Sequence, residues 1–146
     1  MGASKVVKHS LNRVLLTSLA LAMALFFASV TSAMVRAQNE APSVTLDPFP
    51  DYTNDPTPTF TGTATMPAST SPIASVEYRV DGGSWNLATA VNSPFGDSTT
   101  EPYTFTTGVL TDGLHTVEVK ATSKAGYTTQ PADYARKTFT VERDKP

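Results

Sequence analysis

From Gln38 to Pro146 the apolar residues fall at every second position in short runs, and no stretch carries the spacing that would give a helix an apolar face. Turn residues interrupt the runs at intervals of roughly 8–12 residues, the pattern of a sandwich or barrel of antiparallel strands. Period-two alternation gives each strand one apolar face, so every run needs a second layer to cover it. The chain has 146 residues, which leaves room for one domain of roughly 100–150 residues plus a short appendage. It contains no cysteine. That excludes disulfide staples, thiolate metal sites, cysteine nucleophiles and a lipid-modified N-terminal cysteine. The apolar core alone must hold the fold.

Taken in order, Ser43–Leu46 is a first strand, and the loop over residues 47–56 is kept out of a ladder by its prolines. Thr57–Thr65 sets Thr59, Thr61 and Thr63 against a small-residue inner face of Phe60, Gly62 and Ala64. Ser75–Val80 places Val76, Tyr78 and Val80 on one face, and Asp81-Gly82-Gly83-Ser84 then supplies a tight hairpin returning along Trp85–Ala88. Asn92–Glu101 is polar and reads as a surface loop before the strand Tyr103–Thr106. Leu114–Ala121 aligns His115, Val117, Val119 and Ala121 on one face and reads as a central strand. After a loop at Ser123–Tyr127, Arg136–Val141 alternates again, giving seven strands and no long helix. Trp85, Phe60, Phe105, Phe139, Tyr78 and the valines are the expected filling between two sheets about 10 Å apart.

Residues 1–37 read as a targeting segment: Lys5, Lys8 and Arg13 precede the uncharged run Val14–Val30, and Val35-Arg36-Ala37 offers a cleavage pattern. Cleavage after Ala37 is expected, leaving a single mature domain over residues 38–146 that is secreted or displayed at the cell surface. The alternative is an uncleaved anchor, although 17 residues at about 1.5 Å each fall short of a hydrocarbon core of about 30 Å. From Gln38 onward seven basic residues face thirteen acidic ones, a net charge of −6. Such a surface disfavours nucleic acid as a partner and favours a monomer.

Three blocks carry a resemblance: Thr57-Pro58-Thr59-Phe60-Thr61-Gly62-Thr63-Ala64, then Val76 through Trp85, then Leu110-Thr111-Asp112-Gly113-Leu114 through Ala121. In this order and spacing the chain resembles the bacterial immunoglobulin-like domains of extracellular multidomain proteins, over nearly all of Pro42–Val141. The resemblance implies an all-β fold, a two-sheet antiparallel immunoglobulin-like sandwich. It also implies a role class without a reaction: a non-catalytic extracellular or cell-surface module acting as spacer or adhesive domain. The second reading is an N-terminal accessory domain of a secreted hydrolase whose catalytic part lies beyond Pro146. Implied partners are neighbouring immunoglobulin-like domains and an extracellular protein or carbohydrate ligand, with no membrane contact once the leader is removed.

No residue constellation points to catalysis, a cofactor or a metal. His115 is the one histidine after Gln38, and it lacks the serine, second histidine or carboxylate pair that a reaction needs. It follows a turn at the start of an inward-facing strand, much where immunoglobulin-type folds place a tyrosine that bonds back to the backbone. Trp85 with Tyr52, Tyr127 and Tyr134 could form a sugar-stacking platform, but the alternation of Trp85 with Leu87 suits the core. Asp47, Asp51, Asp55, Asp97, Asp112 and Asp133 lie dispersed in loops without the dense ligand spacing of a helical calcium loop. Family members often carry an aspartate after the second strand, where this chain has Met66-Pro67. No stabilising calcium site is expected.

Overall fold

The alternating runs pair into two sheets that bury their apolar faces against each other. The computed structural model describes residues 41–67, 71–92 and 94–144, so the leader expected over residues 1–37 lies outside the described residues. In chain order the strands are β1 (Ser43–Leu46), β2 (Tyr52–Thr53), β3 (Thr59–Thr65), β4 (Ile73–Val80), β5 (Asn86–Leu87), β6 (Thr89–Ala90), β7 (Thr100–Thr106), β8 (Gly113–Ser123) and β9 (Ala135–Val141). One sheet has the order β1-β3-β7-β6 and the other β2-β9-β8-β4-β5. All pairings are antiparallel except β2 with β9. The helical content of the described residues is one three-residue 3-10 turn at Pro131–Asp133.

Aromatic rings dominate the filling. Phe60 lies 4.3 Å from Phe49, 5.3 Å from Phe105 and 5.4 Å from Phe139 between ring centres. Ile73, Val76, Val117, Val119 and Val141 close the space around them. Each such side chain contributes roughly 1.5–3 kcal/mol on burial. The small-residue face of β3 has a specific use. Gly62 sits opposite Tyr103 of β7, and the phenol reaches the edge strand β1 to donate a hydrogen bond to the Thr45 carbonyl at 2.7 Å. A Cβ at Gly62 would collide with that carbonyl and with the Tyr103 hydroxyl.

Four features depart from the sequence reading. Among the described residues the strands number nine rather than seven, because β2 and β6 are two residues long, too short to show alternation. Tyr52 and Thr53 nevertheless join the sheet, with the Thr140 amide donating to Asp51 and the Glu142 amide to Thr53. The loop expected over Asn92–Glu101 ends earlier, since β7 begins at Thr100 and Glu101 points inward at 2% exposure. Pro102 is tolerated inside β7 because its carbonyl accepts from Val91, on the side of the short edge strand β6. Its missing N–H therefore falls on the edge and not on the ladder with β3. The return strand of the hairpin shrinks to Asn86–Leu87, and Trp85 is not in the core: it stands half-buried on the outer face of the five-stranded sheet.

Candidate functional site

The hairpin between β4 and β5 organises the most chemically varied surface of the domain. Its turn is closed by the Gly83 amide donating to the Val80 carbonyl at 2.9 Å. Asp81 and Gly82 both hold positive φ, 51° and 70°, a combination that aspartate and glycine tolerate better than other residues. The Asp81 side chain then clamps the hairpin to β8, accepting from the Thr116 amide at 2.8 Å and meeting His115 Nδ1 at 2.7 Å.

His115 bridges two acceptors, since its Nε2 also lies 2.8 Å from the Thr111 carbonyl. Only a doubly protonated ring donates to both. Burial opposes that charge, but the hydrogen bonds to Asp81 and Thr111 and the Asp81 charge outweigh it, raising the imidazole above its ordinary value of 6.5. The bond back to Thr111 gives His115 the role that immunoglobulin-type folds assign to a corner tyrosine, a structural tie of strand to turn. The folded ring holds its proton more tightly than the unfolded one, so its stabilising contribution is complete below the ordinary imidazole range. It is lost as pH rises through the folded value. We predict that urea unfolding of the wild type shows stability falling from acid toward alkaline pH across this window, with the His115 part of the slope absent in His115→Asn. Equal slopes in the two proteins would show that the ring does not titrate in this way.

Across the outer face of β4, β8 and β9 the register lines up complementary charges. Glu77 is opposite Lys120, Arg79 opposite Glu118, and Glu118 opposite Arg136. Glu118 accepts from Arg79 Nε at 2.6 Å and from Arg136 Nε at 2.7 Å, while Lys120 pairs with Glu77 at 3.1 Å. The Arg136 hydrogen bond first, and then Arg79 against the opposing effect of burial, hold Glu118 below the usual carboxylate range. Over this network lies Trp85. The Arg79 guanidinium is 4.6 Å and the Lys120 ammonium 4.5 Å from its ring centre, and Tyr134 meets it edge-on at 5.3 Å. Both cations rise from neighbouring strands of one face, so the indole lies across the sheet. Leu87, two residues further on in β5, is 72% exposed.

The remaining sequence candidates do not converge. Tyr52 is exposed at the β2 edge and Tyr127 lies in the loop after β8, while Tyr134 joins Trp85. The loop aspartates are spent one at a time: Asp47 accepts from Thr61, Asp51 from Lys137, Asp55 from the Thr57 amide and Asp112 from Arg143. Asp97 lies beside the buried Glu101, whose carboxyl burial and that neighbour raise above its ordinary value. Among the described residues no group of three or more histidine, cysteine or acidic side chains could hold a metal ion, and no helix is long and apolar enough to cross a membrane.

Two packed sheets of four and five strands around an aromatic core, with a histidine tied back to its turn, define an immunoglobulin-like β-sandwich. The family model of the bacterial Ig domain matches residues 42–119, and the chain belongs to that family. Among solved structures, the sulfane dehydrogenase SoxCD from Paracoccus pantotrophus matches at 15% identity and a TM-score of 0.50, over 61% of this chain and 23% of that chain. This chain thus spans less than a quarter of that protein's chain, and the likeness concerns the sandwich alone. The PKD domain of an M14-like peptidase from a Thermoplasmatales archaeon matches at 17% identity and a TM-score of 0.46, over 69% of this chain and 92% of that one. No curated protein matches the chain.

Proposed function

We propose that this protein is an exported, non-catalytic immunoglobulin-like module that acts as a spacer holding its neighbours apart. The observation that carries the reading is where the strands enter and leave. Pro42, next to β1, bonds through its carbonyl to Thr129, which also binds Ala121 near the end of β8. Val141, the end of β9, lies opposite Gly113 at the start of β8. From Gly113 to Ala121 the strand β8 spans about 26 Å at 3.3 Å per residue, so the two ends of the domain lie at opposite poles. Export is supported by the basic, apolar and small-residue order of residues 1–37.

Expression of the full chain in a bacterium, followed by fractionation and intact-mass measurement, tests the export half. A mature chain beginning at Gln38 outside the cytoplasm is expected, and a retained product still carrying residues 1–37 would refute it. The absence of cysteine makes Pro42→Cys with Glu142→Cys a clean pair for labelling. Energy transfer between the two dyes should report an end-to-end distance of about 30–40 Å. A much shorter distance would overturn the spacer geometry.

A further inference from the structure

We propose that the outer face of β4, β8 and β9, centred on Trp85, is a binding platform for neutral polysaccharide. The proposal adds a ligand to the module and does not depend on the spacer reading. Three observations carry it. First, the only tryptophan of the chain is kept out of a core that aromatic residues otherwise fill, and its half-buried indole is held by Arg79 and Lys120, 4.6 and 4.5 Å from its ring centre. A ring fixed in this way offers a flat apolar surface of the kind on which the C–H face of a pyranose stacks, without the entropy cost of ordering it on binding. Secondly, Tyr134 stands at 80° to the indole, a wall beside the floor, and its position is held by Arg136 at 5.5 Å from its ring centre.

Thirdly, the polar groups around the platform are paired with one another. Arg79 and Arg136 share Glu118, and Lys120 binds Glu77. Three cations against two carboxylates leave a single net positive charge, and the face offers alternating fixed donors and acceptors. Vicinal hydroxyl groups, each both donor and acceptor, match that grid. An anionic polymer would find one unmatched cation here and would meet a domain whose net charge from Gln38 onward is −6.

Affinity electrophoresis of the full chain through gels containing soluble neutral polysaccharides (a mixed-linkage β-glucan, a xylan and a galactomannan), with alginate as the acidic arm, tests the proposal. At least one neutral polymer is expected to retard the protein. Because the ligand is uncharged, the retardation should persist in about 1 M salt, where charge attraction is screened within about 3 Å. The same polymer should shift the emission of Trp85, the sole indole reporter. Trp85→Ala should weaken retardation about tenfold or more, the size of a lost stacking contact, while Trp85→Phe retains part of it. A melting profile of Trp85→Ala close to that of the wild type would separate loss of binding from loss of fold. If that profile collapses, the emission shift of the wild type decides alone. Retardation by none of the neutral polymers, retardation by alginate only, or binding undiminished in a folded Trp85→Ala would each overturn the proposal.

Discussion

Gly62→Ala is expected to destabilise the domain by about 3–4 kcal/mol, an unusually large effect for one added methyl group. Overpacking in a well-filled interior costs about 1–3 kcal/mol. Here the new Cβ would strike the Thr45 carbonyl, which is backbone and yields poorly, as well as the Tyr103 ring and hydroxyl. Relief requires moving β1 or withdrawing Tyr103, and either breaks the hydrogen bond that ties β7 to β1 across β3. That loss adds about 1 kcal/mol, more if the carbonyl is left without a partner. Tyr103→Phe, which removes the hydroxyl and leaves the ring, should cost only about 1–2 kcal/mol. Urea denaturation of the two variants checks the ordering. A loss under about 1 kcal/mol for Gly62→Ala would mean that β1 shifts freely and that the Tyr103 crossing is not what holds it. Against a total stability of about 5–15 kcal/mol, the expected value brings the variant near the threshold for folding.

The second large effect separates two aromatic residues that the sequence treats alike. Phe60→Ala should cost about 3–5 kcal/mol, because the ring is 2% exposed and packs against Phe49, Phe105 and Phe139. The cavity would open between the sheets at a place where neither backbone can collapse into it. Trp85→Ala, by contrast, should cost about 1 kcal/mol. It forfeits two cation–π contacts on a partly exposed face, each worth roughly 0.5–1 kcal/mol there, and leaves the core intact. Thermal melts would show the contrast directly, since each kcal/mol moves the midpoint by roughly 4–8 °C in a domain of this size. Near-equal losses in the two variants would return Trp85 to the core and remove the floor of the platform.

One residue of register takes Trp85 out of the core. Trp85 and Leu87 do share a face, as their alternation implies, but it is the outer one. A two-residue loop at Asp81-Gly82 would pair Trp85 with Tyr78, whose ring stacks on Phe105 at 4.0 Å, and would send the indole inward. The observed pairing sets Tyr78 opposite Asn86 and Glu77 opposite Leu87, which extends to Arg79 opposite Trp85 and makes Asp81-Gly82-Gly83 a three-residue loop. Shifting a hairpin by one residue turns every following side chain to the other face. Local turn chemistry permits both loops, and the clamp of Asp81 on Thr116 and His115, on the neighbouring strand β8 but more than thirty residues away in sequence, accompanies the longer one.

Period-two alternation was enough to place β1, β3, β4, β8 and β9 within two residues and to name Phe60, Val76, Val117, Val119 and Phe139 as interior, because each strand's pattern reports its own burial. The tie of His115 to its turn was also legible, since its position after Asp112-Gly113 leaves a polar ring facing inward with the backbone of the turn close by. What lay beyond the sequence was whatever depends on contacts between distant strands. Tyr103 follows a segment that reads as polar loop, and only the crossing over Gly62 to Thr45 makes it the largest fully buried side chain among the described residues. Glu101 turned inward because β7 had to extend along the whole of β3. The charged outer face became a single surface only when three strands from separate parts of the chain came into register. A strand's own alternation carries its buried face, because burial follows the period of the backbone; which strands lie side by side is decided by packing free energies summed over the whole sandwich, and no local pattern encodes that sum.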